Sequence, residues 1–141
     1  MNDNLYRGLK FGIPISLILW ALLFALFAGA ASAGDWGTET KVEESLYQAL
    51  HLIDTAQTLY ISKHPDRFYE VESAWAIGRH PSPSRVIGYM ALDAAGHAAI
   101  TATLVSLNAP SWVTRTWELL TIGDSAHCVG NNFRIGIKAQ F

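Results

Sequence analysis

Phe11 to Ala33 runs for 23 consecutive residues without a charge (FGIPISLILWALLFALFAGAASA), and this run constrains the chain more than anything else in it. As a helix it covers about 34 Å, enough to cross the roughly 30 Å hydrocarbon core of a bilayer. Arg7 and Lys10 precede it, and Asp35, Glu39, Glu43 and Glu44 follow. One reading is a secretory signal ending at the small-x-small triplet Ala31-Ser32-Ala33, but the apolar core of such signals is usually about 7–15 residues. A retained anchor fits the length better. Ala21, Ala25, Gly29 and Ala33, each four apart, also form a small-xxx-small packing face.

The rest of the chain extends the membrane reading. Only 16% of its 141 residues are charged, against about 25% in an ordinary soluble domain. Further stretches poor in charge are Ser45–Ser62, with Asp54; Val86–Leu107, with Asp93 and His97; and Trp112 to about Gly130, with Arg115, Glu118, Asp124 and His127. Pro81, Pro83 and Pro110 punctuate the joints, and Ser84 and Ser111 are expected as N-caps. The link from Asn108 to Ser111 is tight, so the segments flanking it are expected to form an antiparallel hairpin. The expected fold is all-α, a membrane-embedded bundle of about four transmembrane helices in a single transmembrane domain over residues 1–141. Its spans are about 11–33, 45–62, 86–107 and 112–130, with a cytoplasmic loop over 63–84.

Charge supports that layout. With the N-terminus in the cytoplasm, eight of the ten Lys and Arg residues fall on cytoplasmic segments, leaving Lys41 and Arg115 outside. Both termini are then cytoplasmic. Trp36, Trp75 and Trp112 fall near the expected boundaries. In the loop, Phe68, Val71, Trp75 and Ile77 have roughly helical spacing and suggest a short interfacial helix; a solvated loop is the competing reading. The net charge of −2 argues against a nucleic-acid partner. Cys128 stands alone, so no intrachain disulfide forms, and a small buried apolar side chain is expected there.

Polar residues inside the expected spans carry the functional content. His51 and Asp54, Asp93 and His97, and Asp124 and His127 are three, four and three residues apart, so each pair shares a helix face. Gln57 and Tyr89 extend these stripes. An ionised carboxylate near a bilayer centre costs roughly 2.5–3.5 kcal/mol, so such groups should face one another. Asp54, Asp93 and His97 are expected in contact, joined by Asp124 and His127, with His51, Tyr89 and Gln57 completing the polar core. Three readings stay open. The groups could form a structural network between helices. Asp54, Asp93, His97, Asp124 and His127 could ligate zinc and polarise a water. They could also relay protons. No G-x-S-x-G, HExxH, P-loop or dinucleotide fingerprint is present, so no catalytic residue is assigned and no cofactor is required beyond the zinc alternative.

The string Leu50-His51-Leu52-Ile53-Asp54-Thr55-Ala56-Gln57-Thr58, followed by His64-Pro65-Asp66-Arg67-Phe68-Tyr69-Glu70, resembles small uncharacterised membrane proteins of bacteriophages and prophages. So do His80-Pro81-Ser82, Arg85-Val86, His97, Asn131-Asn132 and Ile135-Gly136-Ile137. The likeness covers about Leu46 to Ile137. Those proteins tend to carry Asn-Pro where this chain has Glu72-Ser73, and Glu in place of Asp124. The resemblance implies a bacterial or phage inner-membrane protein and carries no activity with it. The expected function is a structural, interaction or accessory-subunit role built around a buried His/Asp network. Its partners would be the lipid bilayer and either copies of itself or a larger membrane complex. The alternatives are a holin-like or superinfection-exclusion phage protein, and an intramembrane metal-dependent hydrolase or proton path.

Overall fold

The computed structural model describes residues 36–139. The expected first span at 11–33, its small-residue face and the signal-like triplet lie outside the described residues. Within them all regular structure is helical: α1 (Thr38–Lys63), a single turn α2 (Ala74–Ile77), α3 (Pro83–Ser106) and α4 (Ser111–Arg134). The long helices coincide with the three remaining expected spans: α1 and α4 overrun both ends, whereas α3 starts three residues early and stops one residue short.

None of the described helices is long and apolar enough to cross a membrane. The reason lies in what each helix takes in. α1 begins at Thr38, so it incorporates Glu39, Lys41, Glu43 and Glu44, which the sequence suggested as a flank. α4 carries Arg115, Glu118, Asp124 and Arg134 along its length. α3 is the most apolar, yet it still includes Arg85, Asp93 and His97.

Local chemistry sets the helix ends. Ser82, not Ser84, caps α3: its hydroxyl accepts the Arg85 N–H at 3.4 Å, and Pro83 supplies a first-turn residue that needs no N–H partner. Pro110 precedes α4, which makes Ser111 its first helical residue, not its cap. Between α3 and α4, Asn108 adopts φ 51° and the Ala109 N–H returns to the Leu104 carbonyl at 2.9 Å. Such a left-handed residue reverses the chain directly after a helix, and the expected antiparallel hairpin forms. After α4, Gly136 at φ 88° lets the Ile137 N–H reach the Asn132 carbonyl at 2.9 Å and folds Ile137 back onto Tyr60 and Ile61. A Cβ on Gly136 would touch nothing, so any penalty is in the backbone alone. Gly136→Ala is expected to lower the unfolding free energy by about 1 kcal/mol, measurable as a shifted denaturation midpoint.

α1 packs along both α3 and α4, whereas α3 and α4 meet each other less extensively, chiefly towards their hairpin. Ala56, Ala94 and Ala98 are buried where helices approach closely. Ala91, Ala95 and Ala99, four apart on α3 like the small residues of the first expected span, lie about one residue round from that buried face, and Ala99 is exposed. Apolar clusters close the end away from the hairpin: Tyr60, Ile61 and Ile137 with Phe68, and Ile77, Val86 and Met90 with Leu59 and Tyr89. The expected interfacial helix is reduced to α2. Its apolar residues are divided, with Ile77 1% exposed and Trp75 82% exposed, so they form no common face for a bilayer.

The middle of the unit is polar. Glu44, His51, Gln57, Thr58, His97, Thr101, Thr114 and Glu118 are all buried, while Leu92, Trp112, Leu119 and Leu120 are exposed. Of the expected boundary tryptophans, Trp36 is buried and Trp75 and Trp112 are exposed.

Candidate functional site

On α1, Glu44, Tyr47, Gln48 and His51 recur at intervals of three and four residues and so share one face. On α3 the same spacing aligns Asp93, His97 and Thr101; on α4 it aligns Thr114, Glu118 and Thr121. Three helices therefore bring one polar residue each to a common point. The His97 Nδ1 lies 3.1 Å from Glu44 Oε2 and 3.2 Å from Oε1. Its Nε2 lies 2.8 Å from the Thr121 hydroxyl. That hydroxyl donates to the carbonyls of Trp117 and Glu118, so its oxygen accepts from the His97 Nε2–H. The ring stacks on Tyr47 with centroids 3.5 Å apart and on Trp117 at 4.9 Å.

Both carboxylates are fully buried. The Gln48 amide donates to Glu44 Oε1 at 2.8 Å, and the Thr101 hydroxyl donates to Glu118 Oε1 at 2.6 Å. The Trp117 indole in turn donates to Thr101 at 3.2 Å. Glu118 Oε2 is buried with no hydrogen-bond partner. Burial alone would raise the Glu44 carboxyl, but hydrogen bonds from His97 and Gln48 and the histidine charge hold it below its ordinary range. Burial pushes Glu118 up to about 7, and the Glu44 charge adds to that rise. One oxygen or nitrogen from each of Glu44, His97 and Glu118 could serve as a metal ligand.

Other expected residues sit elsewhere. His51 is buried and its Nε2–H donates to the Met90 carbonyl at 2.9 Å, leaving Nδ1 3.7 Å from Asp93. Asp93 also accepts from the Tyr47 hydroxyl at 3.3 Å, and its carboxylate is 45% exposed. His97 turns to Glu44, not to Asp93 on its own helix. Asp54 and Gln57 both accept from the Asn132 amide, at 3.3 and 3.2 Å. Burial, reinforced by Glu70, Glu72, Asp93 and Asp124, pushes Asp54 up to about 7. Tyr89 is half-buried and meets Trp75 edge-on. Asp124 and His127 are exposed on α4 and do not join the centre. Cys128 is half-buried and donates to Glu72; burial and that carboxylate push its thiol up, away from nucleophilic use.

No protein family, curated protein or solved structure matches this chain.

A groove of about 760 Å³ runs beside the centre, between α3 and α4 and over α1. Asp54, Glu70, Glu72, Asp93 and Asp124 line it, and no Lys or Arg does among the described residues. Leu92, Ile100, Leu120, Trp75 and Trp117 supply apolar surface. Glu70 is fixed at its rim, where one carboxylate oxygen accepts the backbone N–H groups of Val71, Glu72 and Ser73 at 3.1–3.2 Å. Glu44 and Glu118 escaped selection from sequence, because neither has a histidine three or four residues away on its own helix. The only local hint was a carboxylate aligned with Gln48 and His51, or with Thr114 and Thr121.

Proposed function

We propose that this chain is a membrane-anchored interaction subunit, held by residues 11–33, whose α3–α4 groove docks a basic, apolar segment of a partner membrane protein. The observation that carries the reading is the groove's composition: five carboxylates, aromatic and aliphatic surface, and no lining cation among the described residues. Carboxylates beside aromatic faces suit Lys or Arg on an apolar helix, through ion pairing and cation–π contact. The buried polar residues serve this role indirectly, by fixing three helices whose mutual apolar surface is small.

Photo-crosslinking in intact membranes tests the proposal. A photoreactive side chain at Leu92 or Leu120, in the groove, is expected to give a discrete adduct; one at Ala126, exposed on α4 outside the groove lining, is not. Reversing charge with Asp93→Lys and Asp124→Lys should abolish the groove adducts, and removing residues 11–33 should release the protein from the membrane. Adducts that survive the reversed charges, or that arise equally from Ala126, would overturn the groove as the docking surface.

A further inference from the structure

We propose that Glu44, Glu118 and the Nδ1 of His97 form a binding site for a divalent first-row transition metal, zinc by the nature of the donors. The ligand atoms already lie within 4.8 Å of one another and come from three different helices. A tetrahedral shell with metal–ligand distances near 2.1 Å needs separations of roughly 3.4 Å, which small rotations of two glutamate side chains would supply.

The surroundings fit a metal centre in a way that a simple ion pair does not require. Each ligating group is held from behind by a neutral hydrogen-bonding partner: Gln48 on Glu44, Thr101 on Glu118, and Thr121 on the far nitrogen of His97. Such outer partners orient metal ligands, and a donor bond from one imidazole nitrogen fixes the tautomer that frees the other for the metal. Thr121 Oγ accepts from the His97 Nε2–H, so Nδ1 is the nitrogen turned to the Glu44 carboxylate. The two buried carboxylates give the site a formal charge of about −2, which a divalent cation neutralises.

Glu118 makes the independent case. Its residue is 0% exposed, its Oε1 is held by Thr101, and its Oε2 has no partner among the described residues. A buried carboxylate oxygen without a donor is costly, because desolvation is not repaid. A cation bonded to both glutamates and His97 satisfies that oxygen. The donor set also selects the metal. An imidazole disfavours magnesium and calcium, which prefer oxygen shells, and the thiolates that attract copper(I) are missing, since Cys128 bonds to Glu72 away from the cluster. Three protein donors leave a fourth position for water.

The test uses the full chain, purified in detergent without chelators. Elemental analysis is expected to find about one zinc per chain, falling below a tenth in Glu118→Gln, since an amide is a far weaker ligand than a carboxylate. The amide keeps an acceptor for Thr101, so the fold should persist, and circular dichroism verifies that it does. Asp124→Asn, which alters an exposed groove carboxylate, should retain the metal in full. Cobalt(II) loaded in place of zinc should give visible absorption bands of a tetrahedral site, and these should vanish in His97→Gln. A metal content near zero in the wild type, or one that Glu118→Gln and His97→Gln leave intact, would overturn the proposal. Neither result depends on a docking partner, so the groove and the metal site stand or fall separately.

Discussion

Replacing His97 with alanine is expected to cost about 3–5 kcal/mol, enough that little folded protein accumulates at 37 °C. The imidazole is the group placed to compensate Glu44, its Nδ1 3.1 Å away in the buried centre, and Glu118 lies in the same cluster. Removing one partner leaves two desolvated carboxylates facing each other, and it also removes the ring stacked on Tyr47. His97→Phe separates the two losses. It keeps an aromatic ring against Tyr47 but supplies no charge, and it should be nearly as damaging as alanine. Combining His97→Phe with Glu44→Met and Glu118→Met should recover most of the loss, because an apolar trio avoids the desolvation that the polar one must offset. Urea denaturation of the purified variants measures each step. Recovery in His97→Phe alone would mean that packing, not charge, holds the centre.

The second large effect is a pH dependence centred on Asp54. Its carboxyl is raised in the folded protein to about 7 from an ordinary 3.8, first by burial and then by Glu70 and Glu72 from the loop, Asp93 from α3 and Asp124 from α4. Below about pH 4 both states are protonated and the group has no effect on stability. Between about 4 and 7 the unfolded chain ionises while the folded one resists, so stability falls as pH rises; above about 7 the penalty is constant. Asp54→Asn keeps a carbonyl for the Asn132 amide and cannot ionise. The variant should match the wild type near pH 4 and melt about 8 °C higher at pH 7.5, a figure that allows for solvent reaching the half-buried carboxyl. Identical melting curves at both pH values would show that the carboxyl is solvated in the folded protein.

Helix positions were legible in the sequence because runs of Ala, Leu and Ile are interrupted by Pro81, Pro83 and Pro110, and because the Asn108–Ser111 link is too short for anything but a hairpin. The direction each helix faces was less so. Ala94 and Ala98 pack inward, not Ala95 and Ala99, and single-helix spacing cannot separate faces about 100° apart when small residues occupy both. The centre was half visible. His97 was a candidate, and its expected partner Asp93 was four residues away on the same helix; its actual partner Glu44 is 53 residues away. Spacing along one helix reports side chains that lie side by side, whereas buried charges are satisfied across helices. Glu44 also sits in an acidic run with Glu39 and Glu43, and such runs read as solvated because most are.

Each of the three residues at the centre comes from a different long helix: Glu44 from α1, His97 from α3 and Glu118 from α4. No two-helix fragment contains the set, and the α3–α4 hairpin, the most local unit, holds two of the three. The centre therefore exists only where all three long helices are packed together. Without α1, the other two helices carry His97 and Glu118 but lack the carboxylate that completes the set. A cation bound there would add its binding energy only to chains in which α1, α3 and α4 are all in place.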